Sequence, residues 1–185
     1  ILSPVTENSN TGVRLSTAVA ANHGDIGSNA VDLSNSDSAS TTRGATGDSS
    51  TAMGQSTTAS GIASTAMGGY TTASGIASTA MGQSTEASGI ASTAMGGYTT
   101  ASAFYSTAMG GFTTASGSRS TATGYSTIAS GDFSTAMGRN SKASDFGSTV
   151  IGQYNSSGST VTNSATAFNA ANTAFVIGNG TGTGE

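Results

Sequence analysis

The sequence predicts an all-β protein, a flattened parallel β-solenoid (β-roll) built of fourteen-residue turns. Three observations predict it: a phrase that returns at an unbroken spacing of fourteen, a glycine at a fixed place in every copy, and strands whose alternate residues differ in kind. Copies of a phrase typified by "STAMGQSTTASGIA" begin at Ser50, Ser64, Ser78, Ser92, Ser106, Ser120, Ser134 and Ser148. Such a fixed period signals a repeat architecture.

Fourteen residues could be two heptads, but the glycines exclude a helix. The fifth position is glycine in every copy, from Gly54 to Gly152, and each glycine costs a helix about 1 kcal/mol relative to alanine. Two short strands joined by tight corners fit the length instead.

Alternation then sorts the residues by face. In "STAM" the Ser and Ala share one side, and the Thr and Met the other. In the second strand the ninth position reads Thr58, Thr72, Glu86, Thr100, Thr114, Ile128 and Lys142. Both charges occur there, which marks an outward face, so the flanking eighth and tenth positions point inward. The expected interior comprises Ser50, Ala52, Thr57, Ala59, Ser64, Ala66, Thr71, Ala73, Ser78, Ala80, Thr85, Ala87 and their later equivalents. So narrow an interior brings the two sheets closer than the usual roughly 10 Å. Ladders of Ser and Thr hydroxyls between turns are expected to satisfy the buried oxygens.

Thr and Met of the first strand cannot face inward with alanine. They form an outer stripe: Thr51, Met53, Thr65, Met67, Thr79, Met81, Thr93, Met95, Thr107, Met109, Thr121, Thr123, Thr135, Met137, Thr149 and Ile151. Fully burying one Met is worth about 1.5–3 kcal/mol, so six rival the stability of a whole domain. The stripe is therefore expected to pack against further copies of the same chain. Three rolls around an axis would bury it in a prism, although spacing alone leaves two and three copies open.

Composition agrees. Charged residues make up 8% of the 185, against roughly 25% in ordinary soluble domains. There is one proline, and Thr is abundant, which favours strands over disorder. Five basic residues and a net charge of −4 provide no footprint for nucleic acid or an anionic membrane. There is no cysteine, and no apolar run reaches membrane-spanning length. The start at Ile1, without a preceding Met, suggests an excised fragment.

The phrase "STAMGxxTxASGxxS" resembles the head repeat of trimeric autotransporter adhesins, the YadA-like head, whose line reads "SVAIGxxSxASGxxS". The resemblance covers Ser50 to Tyr154 closely, and Ser36 to Ser49 loosely through "RGATG". It implies a left-handed parallel β-roll and a homotrimer. Thr51 and Met53 stand where the family has Val and Ile, leaving the seam more polar and pliable. "NTAFVIGNGTGTG", from Asn172 to Gly184, looks like the repeat's strand again. It also resembles sequences that lead into a C-terminal intramolecular chaperone of secreted fibre and tail proteins, which implies a longer natural protein.

The expected organisation is an N-terminal cap over 1–35, roll repeats over 36–161, and an irregular turn and junction over 162–185. The cap carries apolar pairs, Val13 with Leu15 and Val31 with Leu33, and would block the open first edge. Register is expected to break from Val161 to Thr173, with Phe168 and Phe175 capping or widening the roll end.

No catalytic constellation emerges. The single histidine, His23, lies in "NHGDIG" near Asp25. A lone His without a nucleophile or a second ligand reads as cap hydrogen bonding. The acidic residues never form a calcium loop, and "GNGTGTG" precedes no helix. No cofactor and no metal are expected. Corner aromatics, Tyr70, Tyr98, Phe112 and Tyr125 at one corner with Phe104 and Phe133 at the other, fit either a carbohydrate or matrix ligand or the shielding of neighbouring subunits.

The expected function is a non-enzymatic adhesin or fibre head, extracellular on a bacterial surface or a phage-like fibre, and self-associating as a homotrimer. The ligand would be a host, matrix or carbohydrate one, and this stretch would make no membrane contact. A threonine-rich ice- or mineral-binding solenoid is one alternative, though Glu86, Ile128 and Lys142 interrupt the outward threonine rank. An end-to-end polymerising filament subunit is another.

Overall fold

The computed structural model of the protein describes residues 2–155 and 164–180. The expected roll boundary at 161 and the run from Thr181 to Glu185 lie outside the described residues, as do the first three residues of the expected register break. The described part of that break, 164–173, carries no strand, and the strand Phe175–Asn179 pairs with Thr149–Gln153, 26 residues before it, where the repeats use fourteen. The chain divides into two compact units, Ile1–Ala91 and Ser92–Glu185. Among the described residues, every regular element is a strand except a 3₁₀ turn at Ala20–Asn22.

The first unit contains β1 (Leu2–Glu7), β2 (Asn10–Leu15), β3 (Val31–Asn35), β4 (Gly44–Ala45), β5 (Thr51–Gln55), β6 (Thr58–Ala59), β7 (Thr65–Gly69), β8 (Thr72–Ala73), β9 (Thr79–Gln83) and β10 (Glu86–Ala87). The long strands run side by side in the order β1-β2-β3-β5-β7-β9, and the short ones in the order β4-β6-β8-β10. Only the β1–β2 hairpin is antiparallel; β3, β5, β7 and β9 stack in parallel, placing Thr51 beside Thr65 and Met53 beside Met67. The second unit repeats the plan with β11 (Thr93–Gly97), β12 (Thr100–Ala101), β13 (Thr107–Gly111), β14 (Thr114–Ala115), β15 (Thr121–Tyr125), β16 (Ile128–Ala129), β17 (Thr135–Arg139), β18 (Lys142–Ala143), β19 (Thr149–Gln153) and β20 (Phe175–Asn179). Each unit is thus a parallel β-solenoid whose successive turns are set fourteen residues apart over the repeats.

The turn closes because two corners take the left-handed backbone. Tyr70 and Ala77, seven residues apart, both have φ +55°, and such residues reverse the chain where no strand continues. Backbone groups are then satisfied between turns. Thr58 N–H donates to Thr71 O at 2.9 Å, Tyr70 N–H to Gln55 O at 2.8 Å, and Ala77 N–H to Ile62 O at 2.8 Å. A solenoid built this way needs a neighbouring turn at every level.

Between the strands lies a core of alanine and hydroxyl side chains. Ser50, Ala52, Thr57, Ala59, Ser64, Ala66, Thr71, Ala73, Ser78, Ala80, Thr85 and Ala87 are each at most 1% exposed. The expected hydroxyl ladders are not formed. Among the described residues, Ser50, Thr57, Ser64, Thr71, Ser78 and Thr85 are six of twelve buried hydroxyls without a hydrogen-bond partner in the protein. Stacked turns repeat at about 4.7–4.8 Å, so two hydroxyls on successive turns come within reach only where their side chains lean together, as Ser130 Oγ and Ser144 Oγ do at 3.4 Å. Other serines bond backbone carbonyls: Ser106 Oγ donates to Ala103 O at 2.7 Å in its own corner, and Ser141 Oγ lies 2.9 Å from Met137 O and 3.1 Å from Gly152 O of the next turn.

An unmade hydrogen bond on a buried group is destabilising. Thr71→Val, which keeps the shape and removes the oxygen, is therefore expected to raise stability by about 1 kcal/mol. A urea titration against the native chain measures this, and an unchanged or lower midpoint would contradict it.

At the N-terminal edge, β1 is the outermost strand and carries Pro4, a residue that blunts edge pairing. β3 follows the roll's register, with Val31, Asp32 and Leu33 beside Thr51, Ala52 and Met53. At the other end β20 pairs with β19, so Phe175 lies beside Thr149 and Ile177 beside Ile151. Phe168 and Phe175 are 80% and 59% exposed. Neither ring closes the interior, contrary to the expectation that they cap the roll end, because Phe175 falls on the outward side of its strand and Phe168 on a surface segment.

Candidate functional site

The outer face of the long strands carries the apolar stripe. Within the first unit Thr51, Thr65 and Thr79 are half-buried, as are Met67 and Met81, while Met53 is 41% exposed. Within the second, Thr93, Thr107, Thr121, Thr135 and Thr149 are half-buried, with Met95, Met109 and Thr123. Met137 and Ile151 are more open, at 36% and 37%. Each residue stands directly beside its equivalent in the next turn, for instance Met109 beside Thr123 and Thr123 beside Met137. The neighbouring turn therefore covers one flank of each side chain and leaves its tip outward.

The stripe extends past the repeats. In the first unit Val13 lies beside Val31, and Leu33 beside Met53. In the second, Ile177 continues the column at 73% exposure. The signal for the N-terminal extension was present in the triplets Val13-Arg14-Leu15 and Val31-Asp32-Leu33, which set apolar residues on the positions of Thr and Met.

Between those apolar residues, Arg14 and Asp32 occupy the alanine column and face each other inside the first turns. Asp32 is fully buried and Arg14 is 4% exposed. Arg14 Nε donates to Asp32 Oδ2 at 3.2 Å, its Nη1 to Glu7 Oε1 at 2.9 Å, and its Nη2 to Gly24 O at 2.9 Å. His23 Nδ1 lies 3.0 Å from Asp32 Oδ2, and Ser34 Oγ donates to Asp32 Oδ1 at 2.6 Å. The neighbour of His23 is therefore Asp32 and not Asp25, which accepts from Asn8 Nδ2 at the surface. Ser34 Oγ also lies 3.4 Å from His23 Nδ1, but its proton goes to Asp32 Oδ1, and Ser34, His23 and Asp32 are all buried; the arrangement is that of a satisfied polar core.

Corner residues flank the stripe on both sides. Tyr98 and Phe112 stack with ring centres 5.0 Å apart and planes within 4°, and Phe112 meets Tyr125 edge-on at 5.6 Å. At the opposite corner the Arg119 guanidinium lies 5.3–5.7 Å from the rings of Phe104, Tyr105 and Phe133. Sixth and seventh positions trade bulk: Gly97-Tyr98 and Gly111-Phe112, but Tyr125-Ser126 and Arg139-Asn140. The large side chain thus moves between two columns, as the grouping of Tyr125 with Tyr98 and Phe112 in the sequence has it.

Among the described residues no group of three or more His, Cys, Asp or Glu side chains is gathered as a metal site, and no helix is long and apolar enough to cross a membrane. An alanine-and-hydroxyl interior, an outer apolar stripe and stacked identical turns define a structural repeat protein of the parallel β-roll class. Four stretches, 45–71, 73–99, 101–127 and 129–155, match the family model described as the YadA head domain repeat (2 copies). Together they span more than half of the chain, and it belongs to the YadA head family, whose β-roll is structural and adhesin-type. A search of curated proteins found no match.

Proposed function

We propose that the chain is the head of a non-enzymatic extracellular adhesin or fibre, a homotrimer of left-handed β-rolls joined along the outer stripe. Residues 1–35 close its N-terminal edge, with β3 adding a level in the roll's register, and the repeats that follow form the roll. The seam runs through Thr51, Met53 and their equivalents to Thr149 and Ile151. The outer faces are left to engage a host, matrix or carbohydrate ligand, where weak sites repeated on three chains would add by avidity.

The observation that carries this reading is the ladder of half-buried methionines on an outer face, beside which each chain offers only a thin interior. An apolar stripe of that continuity marks an interaction surface, and a closed ring of copies buries it without leaving a free end. Membership of the YadA head family supports the trimer.

The test is the mass of the folded particle by sedimentation equilibrium, with Met81→Glu and Met95→Glu beside the native chain. The native chain is expected at three times its 17.8 kDa. Each glutamate would place like charges together in an apolar seam, and is expected to shift the particle to monomer at micromolar concentration. A stable native monomer, or charges that leave assembly untouched, would refute the seam.

A further inference from the structure

At three levels of the second unit, those of β13, β15 and β17, the two ends of the long strand carry complementary side chains that make contacts along their own corners but cannot reach each other within one chain. Each long strand starts next to one corner and ends at the other. β13 is preceded by Tyr105 and followed by Phe112; β15 is preceded by Arg119 and ends in Tyr125; β17 is preceded by Phe133 and ends in Arg139. Read level by level, the two ends carry ring with ring, guanidinium with ring, and ring with guanidinium. At no level do two arginines face each other. A five-residue strand separates the ends by about 16–17 Å at roughly 3.3 Å per residue, so they do not meet within one copy.

These rings are also held where local chemistry disfavours them. Tyr105, Phe112 and Phe133 have φ of +54°, +55° and +59°, a backbone region that bulky residues rarely occupy. All three are about half exposed, at 53%, 51% and 49%. Tyr125, at the sixth position, lies on the same side of its strand as Thr121 and Thr123, so its ring adjoins the stripe directly.

In a ring of copies the contacts are heterologous, with one edge of each subunit meeting the opposite edge of the next. When copies join along the stripe at a common level, the start corner of one strand comes to the end corner of the neighbour's equivalent strand. We propose that the corners form an intermolecular clasp, in which Tyr105 packs on Phe112 of the next copy, Arg119 on its Tyr125, and Phe133 under its Arg139. The partner is a second copy of this chain. Guanidinium over an aromatic face is an attractive pairing, and slipping by one turn sets Arg119 beside the neighbour's Phe112 or Arg139, and Phe133 beside its Tyr125. The clasp thus opposes the slip that brings Arg119 to the neighbour's Arg139, whereas the opposite slip keeps Arg119 on a ring, that of Phe112, and loses only the pairing of Phe133 with Arg139. It rests on the reading that copies assemble through the stripe.

The chain has no cysteine, so paired cysteines report the contact cleanly. Ser118 and Ser126 adjoin Arg119 and Tyr125 and are half-buried. The Ser118→Cys, Ser126→Cys chain, assembled and then oxidised or bridged with a short bismaleimide, is expected to run as a three-chain species on a denaturing gel. The mismatched pair Ser118→Cys, Asn140→Cys, one turn away, is expected to give at least tenfold less. Arg119→Ala is expected to lower the midpoint of thermal dissociation while leaving the far-ultraviolet circular dichroism of the roll unchanged. A native three-chain particle in which matched and mismatched pairs link equally, or not at all, overturns the clasp and leaves the seam standing. A native monomer overturns the seam and the clasp with it. Corner tyrosines that remain open to iodide quenching in the assembled particle, and become covered on adding an oligosaccharide, would assign the corner to a glycan and also overturn the clasp.

Discussion

Gly68→Ala is expected to destabilise the roll by about 3–5 kcal/mol, a large share of the roughly 5–15 kcal/mol that holds a domain together. Gly68 has φ +116°, and a Cβ added there would lie 2.0 Å from Gly82 O and 2.9 Å from its carbonyl carbon. The obstacle is backbone in the next turn, which has no rotamer to move. Relief requires the two turns to part, and parting them weakens bonds such as Ser84 N–H to Gly69 O at 2.8 Å. The adjacent Gly69 is an internal control, because a Cβ there meets nothing within 4 Å. Gly69→Ala is expected to stay within about 0.5 kcal/mol of the native chain. Chemical denaturation of the two variants at one protein concentration measures the contrast; equal midpoints would remove the steric account of the glycine column.

Removing the carboxylate of Asp32 is the second large effect. Asp32→Ala leaves the buried Arg14 guanidinium with Glu7 and Gly24 O but without its interior counter-charge. It also strips Ser34 N–H and Oγ of their acceptor, which lies 3.0 and 2.6 Å away. Breaking a buried pair from one side costs about 3–5 kcal/mol, and the remaining Glu7 contact places the expected loss near the lower bound, about 3 kcal/mol. Replacing both partners, Arg14→Met with Asp32→Leu, is expected to recover most of that loss, since well-packed apolar residues can substitute for an ion pair. A double-mutant cycle followed by urea unfolding reads the coupling. An Asp32→Ala chain within 0.5 kcal/mol of native, about the scatter of a surface change, would show that the network is only solvated charge.

Most of the roll could be read from residues 50–155, because interior size and turn approach impose the same residue at each level. Alanine recurs where the opposite strand is close, and glycine where the next turn's carbonyl is closer still. The outward stripe was readable for the same reason, through the period of two along a strand. The level formed by β3 was harder to see. Val31 stands twenty residues before its partner Thr51, where the repeats use fourteen. Its interior position also carries Asp32 in place of alanine, so neither spacing nor residue type announces it. The clue was the opposite charge of Arg14 on the same column, since a charge enters such an interior only beside its counterpart. The hydroxyl ladders failed on a distance that residue types do not encode, and the corner pairing was hidden because it joins residues at opposite ends of one strand.

The strict superposition of successive levels has a genetic corollary. Excising 65–78 would join Ser64 to Thr79 and give most retained residues a new neighbour of the same type, the exceptions being an exchange at the corner and Glu86 in place of Thr72 beside Thr58. A coding sequence of this kind tolerates recombination between its own repeats, gaining or losing height in whole steps while leaving both termini intact. The number of stacked turns then becomes a heritable quantity that changes in whole steps.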